Sequence, residues 1–437
     1  MAAGLNGGYA RGVTMNRMTP TRRDVLRMTG IGAATVLVGC GDNDLTRDPG
    51  TQLATAVLEP ESDSFLVAVW SSVARTVSVE VQDREGVVSR MSADLDAALR
   101  STFDMNGLQA ATSYQVTVVA DTGASVVHQV RTAPRPDDPS AVRLAVSADL
   151  DPSSEFDSNL LDHVAAMSPE LFVSIGDMPY ADNGPPAETL DEYRDRHVEV
   201  RTAARVRRWM SAMGLRAIYD DHEFRNDWDA MYRESEAARY AAAMQAWDEF
   251  FPLRPRDVRY RSWRWGANVE CFLLDARRYR SANAAPDDAN KTMLGEMQLA
   301  WLVDGVRSSA ATFKLIFTSV PLDFGDGVDH WAGFTTERDR MFGLLAGIPG
   351  VLFVSGDQHW FAAHRHARGI REFQVGPIAR GIGTPTRSAD GVLFRAMRYN
   401  AGIVDIDGDA LTFTGVGADG EVFYKETLTA EDLTPAV

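Results

Sequence analysis

The sequence predicts an α/β protein: a layered α/β/α domain preceded by a small all-β sandwich. Residues 51–133 alternate apolar and polar side chains in short runs between turn residues, the pattern of half-buried strands. From Val142 onward, short continuous apolar runs alternate with helical stretches, the pattern of strands covered on both faces. Several of those runs end in Gly and Asp, and the carboxyl ends of strands are where such domains place their chemistry.

The chain has 437 residues, 45% hydrophobic and 24% charged, enough for a sizeable core and more than one domain. Its formal net charge is −17. Residues 1–39 carry five Arg and one Asp, so the remainder is more acidic still. That balance excludes a general nucleic-acid-binding surface. It also makes a bare pocket a poor host for an anion, unless bound cations reverse the local field. Two cysteines, Cys40 and Cys271, imply no disulfide framework.

Residues 1–39 read as an export signal. Thr21 to Arg27 is a charged segment, and the apolar stretch Met28 to Val38 is too short for a stable membrane helix. The pair Arg22-Arg23 resembles a twin-arginine signal, with Val25 where such signals often carry Phe. Leu37-Val38-Gly39-Cys40 resembles a lipoprotein cleavage box, which would leave Cys40 as a lipidated N-terminus holding the protein to a membrane. An ordinary signal peptide with a coincidental Cys is the alternative. Either way the expected location is periplasmic or extracytoplasmic. Residues 40–50 are polar and read as a tether.

In the β region, strands are expected at 65–70, 77–81, 114–119 and 126–130, with Trp70 as a core anchor. Leu108 to Tyr114 resembles the corner of fibronectin type III-like sandwiches, where a Tyr closes the fold. The prolines of residues 134–141 mark a linker.

Residues 142–437 form the second expected domain. Strands are predicted at 142–148, 171–175, 215–218, 314–321 and 351–355, and Cys271 sits in a further apolar run as a small buried hydrophobe. Helices are predicted at 160–167, 198–213, 233–251 and from Leu294. Arg201, Arg205, Arg207 and Arg208 fit a solvated helix face better than a phosphate clamp. Residues 401–428 return to β alternation and add edge strands.

Four strand ends concentrate polar chemistry: Asp149-Leu150-Asp151, Gly176-Asp177-Met178-Pro179-Tyr180, Asp220-Asp221-His222-Glu223 with Asn226-Asp227, and Gly356-Asp357-Gln358-His359. Carboxylates packed so densely repel one another unless a cation holds them. One such Asp is common; four ends carrying carboxylate, imidazole or phenol point to one metal site built from distant segments. Taken singly, each has a plain alternative: a solvated acidic turn, a core Tyr180, a capped His359. Asp329-His330-Trp331 follows another strand, and the loop is expected at a pocket mouth, with His330 or Trp331 touching substrate or merely packing on the rim.

Together with Leu294-Gly295, Gln298 and Trp301-Leu302, these motifs resemble, in order, those of the alkaline phosphatase D (PhoD-like) family of calcineurin-type metallophosphoesterases. The resemblance implies a metallophosphoesterase domain and hydrolysis of small phosphate mono- or diesters by a metal-bound hydroxide. It implies Asp149, Asp177, Tyr180, Asp221, Asp357 and His359 as metal ligands, Asp151 and Asn226 as further candidates, and His222 with Asp221 as catalytic groups. Asp177, ending a central strand, is the expected bridge between two cations. Calcium and iron are implied, but Ala148 stands where the family commonly has an iron-binding Cys, so manganese or zinc would also suit the donor set. Two rival readings stay open: a diesterase acting on lipid head groups or cell-wall polymers, and an inert hydrolase fold serving as a surface binding lipoprotein.

Overall fold

The computed structural model describes residues 53–152, 158–254, 258–323, 327–385 and 391–437. Arg22-Arg23, Cys40 and the 40–50 tether lie outside the described residues. Seven strands come first: β1 (Leu53–Leu58), β2 (Ser64–Ser71), β3 (Thr76–Asp83), β4 (Gly86–Asp94), β5 (Arg100–Asn106), β6 (Ser113–Ala120) and β7 (Ser125–Arg131). Then follow β8 (Val142–Ser147), α1 (Leu160–Ala166), β9 (Leu171–Ile175), α2 (Leu190–Thr202), α3 (Ala204–Met210), β10 (Gly214–Ile218), α4 (Ala230–Ser235) and α5 (Ala237–Phe250). Next are β11 (Arg261–Arg264), β12 (Val269–Leu273), α6 (Gly295–Ser308), β13 (Phe313–Phe317), α7 (Thr335–Leu345), β14 (Val351–Ser355), β15 (Phe361–Arg365) and β16 (Arg371–Gln374). The chain closes with β17 (Val392–Ala396), β18 (Asn400–Asp407), β19 (Ala410–Gly417) and β20 (Val422–Thr429).

The all-β region forms because its alternation is strict. Val77, Val79 and Val81 of β3 lie beside Tyr114, Val116 and Val118 of β6 on one sheet face, in a core shared with Phe65, Val67 and Val69 of β2. Tyr114 Oη accepts the Gln109 N–H at 2.8 Å, closing the expected corner. The sandwich is not separate, however. Its sheet β4-β3-β6-β7 stands alone, while β1, β2 and β5 end a nine-stranded sheet of order β20-β19-β18-β8-β9-β10-β1-β2-β5. Residues 134–141 therefore do not interrupt the sheet; Pro134 is buried, and Asp138 O accepts from Ala267 N–H at 2.7 Å. Trp70 does not anchor the sandwich. Along β2, Phe65, Val67 and Val69 face the sandwich, so period-2 alternation turns Leu66, Ala68 and Trp70 toward the main core.

The second sheet runs β11-β12-β13-β14-β16-β15-β17. Leu315, Phe317, Leu352, Val354 and Phe373 share a core with the nine-stranded sheet. Ile316 and Phe353, between them in sequence, pack instead against Leu299 and Leu302 of α6 and Met341 and Phe342 of α7. The β layer is thus two sheets thick. Each fully buried large apolar side chain contributes roughly 1.5–3 kcal/mol.

The helix expected over 198–213 is two. α2 starts earlier, at a capping box of Thr189 and Glu192, and the chain breaks at Ala203, which is extended (φ −60°, ψ 126°). The helix expected over 233–251 likewise divides at Glu236 into α4 and α5. Arg201 and Arg205 are not on a solvated face: both are buried, and Arg201 lies over the Phe250 and Phe251 rings. Residues 400–429 do extend the nine-stranded sheet, with β20 at its edge, and Cys271 is a buried free thiol. The parallel neighbours β8, β9 and β10 end side by side, and β14 ends close to them across the core.

Candidate metal centre

The chain turns abruptly where these strands end. Asp149, Asp177, Asp357 and His359 all adopt left-handed backbone, at φ of 63°, 59°, 74° and 61°. Asp and His tolerate that region better than most residues, yet each such residue costs on the order of 1–3 kcal/mol. The surroundings hold them there. A Cβ on Gly376 would sit 2.1 Å from Asp149 Oδ2, and one on Gly176 would sit 2.6 Å from Asp220 Cβ. Both positions need glycine so that the carboxylate loops can close on each other.

The turns bring the expected ligands together in linked groups. Single donor atoms of Asp149, Asp177 and His359 lie within 4.8 Å of one another. The same holds for Asp177, Asp221 and His222, and for Asp220, Asp221 and Asp357. Asp177 is common to the first two groups and Asp221 to the last two. Tyr180 Oη donates to Asp177 Oδ2 at 3.0 Å and lies 2.9 Å from His359 Nε2.

The donor set fits cations on electrostatic grounds. Neither buried oxygen of Asp149, nor Oδ1 of Asp221, has a hydrogen-bond partner. Burial and neighbouring carboxylates push Asp149, Asp177 and Asp357 well above the ordinary carboxylate range. Ionised carboxylates so placed are stable only opposite positive charge. Burial holds the His359 imidazole down to about 4, so it is neutral near pH 7. Its Nδ1–H donates to Gly381 O at 2.6 Å, leaving Nε2 unprotonated and facing Tyr180 Oη and Asp149, the arrangement of a ligating histidine.

A protein frame holds these groups. Arg277, fully buried, binds both oxygens of Asp220 at 2.6 and 2.9 Å and meets Asp329 at 2.7 Å. Asp220 is therefore neutralised by protein, which distinguishes it from Asp149, while Asp221 meets the same guanidinium only at 3.5 Å. Glu223 accepts N–H bonds from Met178 at 2.7 Å and Asp220 at 2.9 Å, clamping two strand-end loops. His222 Nδ1 lies 2.7 Å from Asp182 Oδ1, and its ring lies 4.3 Å from that of Tyr180, tilted by 36°. Burial alone would lower the His222 pKa, but Asp221 and Asp182 outweigh it and push it up to about 9.

Arg277, Asp182 and Arg380, whose guanidinium lies 4.3 Å over the Tyr180 ring, were not singled out from the sequence. Leu273-Leu274-Asp275-Ala276-Arg277 has the same strand-end form as the other motifs and carried the signal for Arg277. Asp182 lies two residues beyond Tyr180 in a motif already identified.

Three expected positions, Asp151, Asn226 and Trp331, differ, while His330 does reach a cavity. Asp151 joins none of these groups; its Oδ2 accepts from Asn183 Nδ2 at 3.0 Å and faces Arg380 at 3.3 Å, so its charge is already met. Asn226 is exposed, and it is its backbone N–H that serves the site, donating to Asp182 Oδ2 at 2.7 Å. Trp331 does not touch a pocket: it is fully buried in the core beside α6 and α7, with Nε1 donating to Thr318 Oγ1 at 3.3 Å. His330 is 1% exposed, and its Nδ1 accepts the Ala332 N–H, although its edge lines a cavity of about 410 Å³. That cavity opens beside the centre between Asp227, Asp329 and Gln358, and its aromatic wall is Trp360.

The match to the PhoD-like phosphatase family covers residues 154–401, more than half of the chain. Alkaline phosphatase D of Bacillus subtilis (strain 168) is 27% identical over 235 residues, 46% of this chain and 40% of that protein, so the match spans about two fifths of that relative's length. The solved structure of PhoD superposes with a TM-score of 0.77 at 19% identity, covering 87% of this chain and 90% of that one. A purple acid phosphatase from yellow lupin (Lupinus luteus) seeds superposes with a TM-score of 0.63 at 12% identity, covering 87% and 75%. At these identities the two structures speak for the fold.

Proposed function

The chain belongs to the PhoD-like phosphatase family, and from that premise we propose that it is a metal-dependent phosphoesterase acting on small phosphate mono- or diesters. The observation that carries the reading is the convergence of Asp149, Asp177, Asp221, Asp357 and His359 from separate strand ends onto two shared carboxylates. Asp149, Tyr180 and His359 would hold one cation, Asp221 and Asp357 another, and Asp177 both. Bound there, cations supply positive charge opposite the phosphoryl oxygens and make water a stronger acid near neutral pH. Calcium and iron follow from the family, and the oxygen and imidazole donors would also accept manganese or zinc.

The side chains around them have distinct tasks. Asp182 fixes the His222 ring through Nδ1 and keeps it protonated, so Nε2 holds the proton that the leaving oxygen needs. Arg277 pins Asp220 and Asp329, which keeps the strand-end loops in register. Most ligand positions of the family are filled, Ala148 being the exception, and that favours an active enzyme over an inert binding protein. The test is to strip the protein with a chelator and restore calcium, iron, manganese or zinc in turn. Hydrolysis of nitrophenyl phosphate and of bis-nitrophenyl phosphate is then compared. Turnover should vanish on stripping and return with at least one ion, and the better of the two esters fixes monoesterase or diesterase action. Failure of every ion to restore either activity refutes the reading.

A further inference from the structure

A second cluster of ligand-type side chains shares no residue with the strand-end carboxylates. His364 of β15 and Glu372 of β16 stand directly opposite each other in the antiparallel ladder. Side chains repeat on a strand face every two residues, so His366 and Gln374 belong to the same face. That face is turned away from the main core, which receives Phe361, Ala363 and Phe373 instead. The β15–β17 pairing shifts register between Ala363 and His364, a bulge of the kind that re-aims a side chain.

Donor atoms of His364, His366 and Glu372 lie within 4.8 Å of one another. The two imidazoles are stacked, with centroids 5.3 Å apart and planes at 14°. His366 Nε2 is 2.6 Å from Glu372 Oε2. His364 is 1% exposed, neither of its ring nitrogens has a well-formed hydrogen-bond partner, and the Gln374 side chain is its polar neighbour. Gln374 is fully buried, and its Oε1 also lacks a well-formed partner. Leaving a buried polar atom unsatisfied costs on the order of 1–3 kcal/mol, so three such atoms beside a His–Glu pair call for a missing partner.

We propose that His364, His366 and Glu372 bind one divalent transition ion of the zinc type, with Gln374 Oε1 within the same face as a fourth donor. Two imidazoles and a carboxylate are a set that zinc accepts, and the enclosed setting suits a structural ion. The site has a mechanical link to the catalytic loops. The remaining oxygen of Glu372 accepts from Leu322 N–H at 2.9 Å and from the Ser355 hydroxyl, two residues before Asp357. An ion here ties β15 and β16 to the end of β14.

The test is zinc content per chain after dialysis against zinc chloride and then metal-free buffer. Wild type is compared with His364→Gln and His366→Gln, with circular dichroism as the check on folding. Each variant should hold one zinc fewer than wild type; equal content overturns the proposal. Asp177→Asn leaves this cluster untouched, so it should retain at least one zinc, and Asp177→Asn with His366→Gln should hold one fewer than Asp177→Asn alone. An Asp177→Asn protein with no zinc overturns the proposal whatever the folding of the histidine variants. These readouts do not use turnover, so they stand apart from the test of phosphoesterase action.

Discussion

His222 shows how one residue's chemistry is set by its neighbours. Burial disfavours its charged form, while Asp221 and Asp182 favour it more strongly, and the result is a pKa of about 9. As a proton donor it works while protonated, and a cation on Asp221 offsets that carboxylate's influence, so activity should fall as pH rises through a value below about 9. Asp182→Asn removes the raising influence of the carboxylate hydrogen-bonded to the ring. The alkaline limb of kcat/KM should then move to lower pH by about one unit, with activity reduced roughly 10- to 100-fold, as for other groups that orient a functional histidine. An unchanged limb in the variant would show that another group titrates there. Asp182 was legible in principle, since it closes the Tyr180 motif, but its role depends on a fold contact with His222 forty residues away. Asp151 shows the reverse: sequence spacing matched a ligand motif, and Arg380 and Asn183, remote in sequence, claimed the carboxylate.

At the scale of elements, the strand ends position the chemistry only if the two sheets keep their alignment. Glu59, just past β1, supplies a buried tie. It meets Arg216 of β10 at 2.9 Å and Arg261 of β11, in the other sheet, at 3.0 Å. Removing one partner of a buried ion pair leaves the others uncompensated. Glu59→Ala should therefore lower unfolding free energy by about 3–5 kcal/mol, read from urea denaturation. A loss under about 1 kcal/mol would mean that water or a rearranged side chain takes over. The strands themselves were readable because both faces are apolar and the runs are short. Helix breaks at Ala203 and Glu236 were not, because no Pro or Gly marks them and packing sets the bend. Trp331 was misplaced for a related reason: an aromatic in a polar loop reads as a rim residue until tertiary packing shows the core beneath it.

For the whole molecule, the sequence marked out residues 51–133 and 142–437 as different in pattern, and the structure joins them through the parallel β1–β10 pair. That junction was illegible because a single parallel contact leaves no periodic trace. Among the described residues no helix is long and apolar enough to cross a membrane. We propose attachment through Cys40 after twin-arginine export. The protein made in a bacterium that processes such signals should partition into detergent, and Cys40→Ala should release it to the aqueous phase; equal partitioning of both forms contradicts the anchor.

The central claim is that separate strand ends hold cations on which phosphoester cleavage depends. It is tested most directly by measuring bound metal and nitrophenyl ester turnover together in wild type and Asp177→Asn, a substitution that keeps a side chain tolerant of the left-handed backbone at φ 59°. The account predicts a folded variant with less bound metal and turnover down by more than about 100-fold. A folded Asp177→Asn protein that turns over ester at the wild-type rate with its full complement of metal would contradict it.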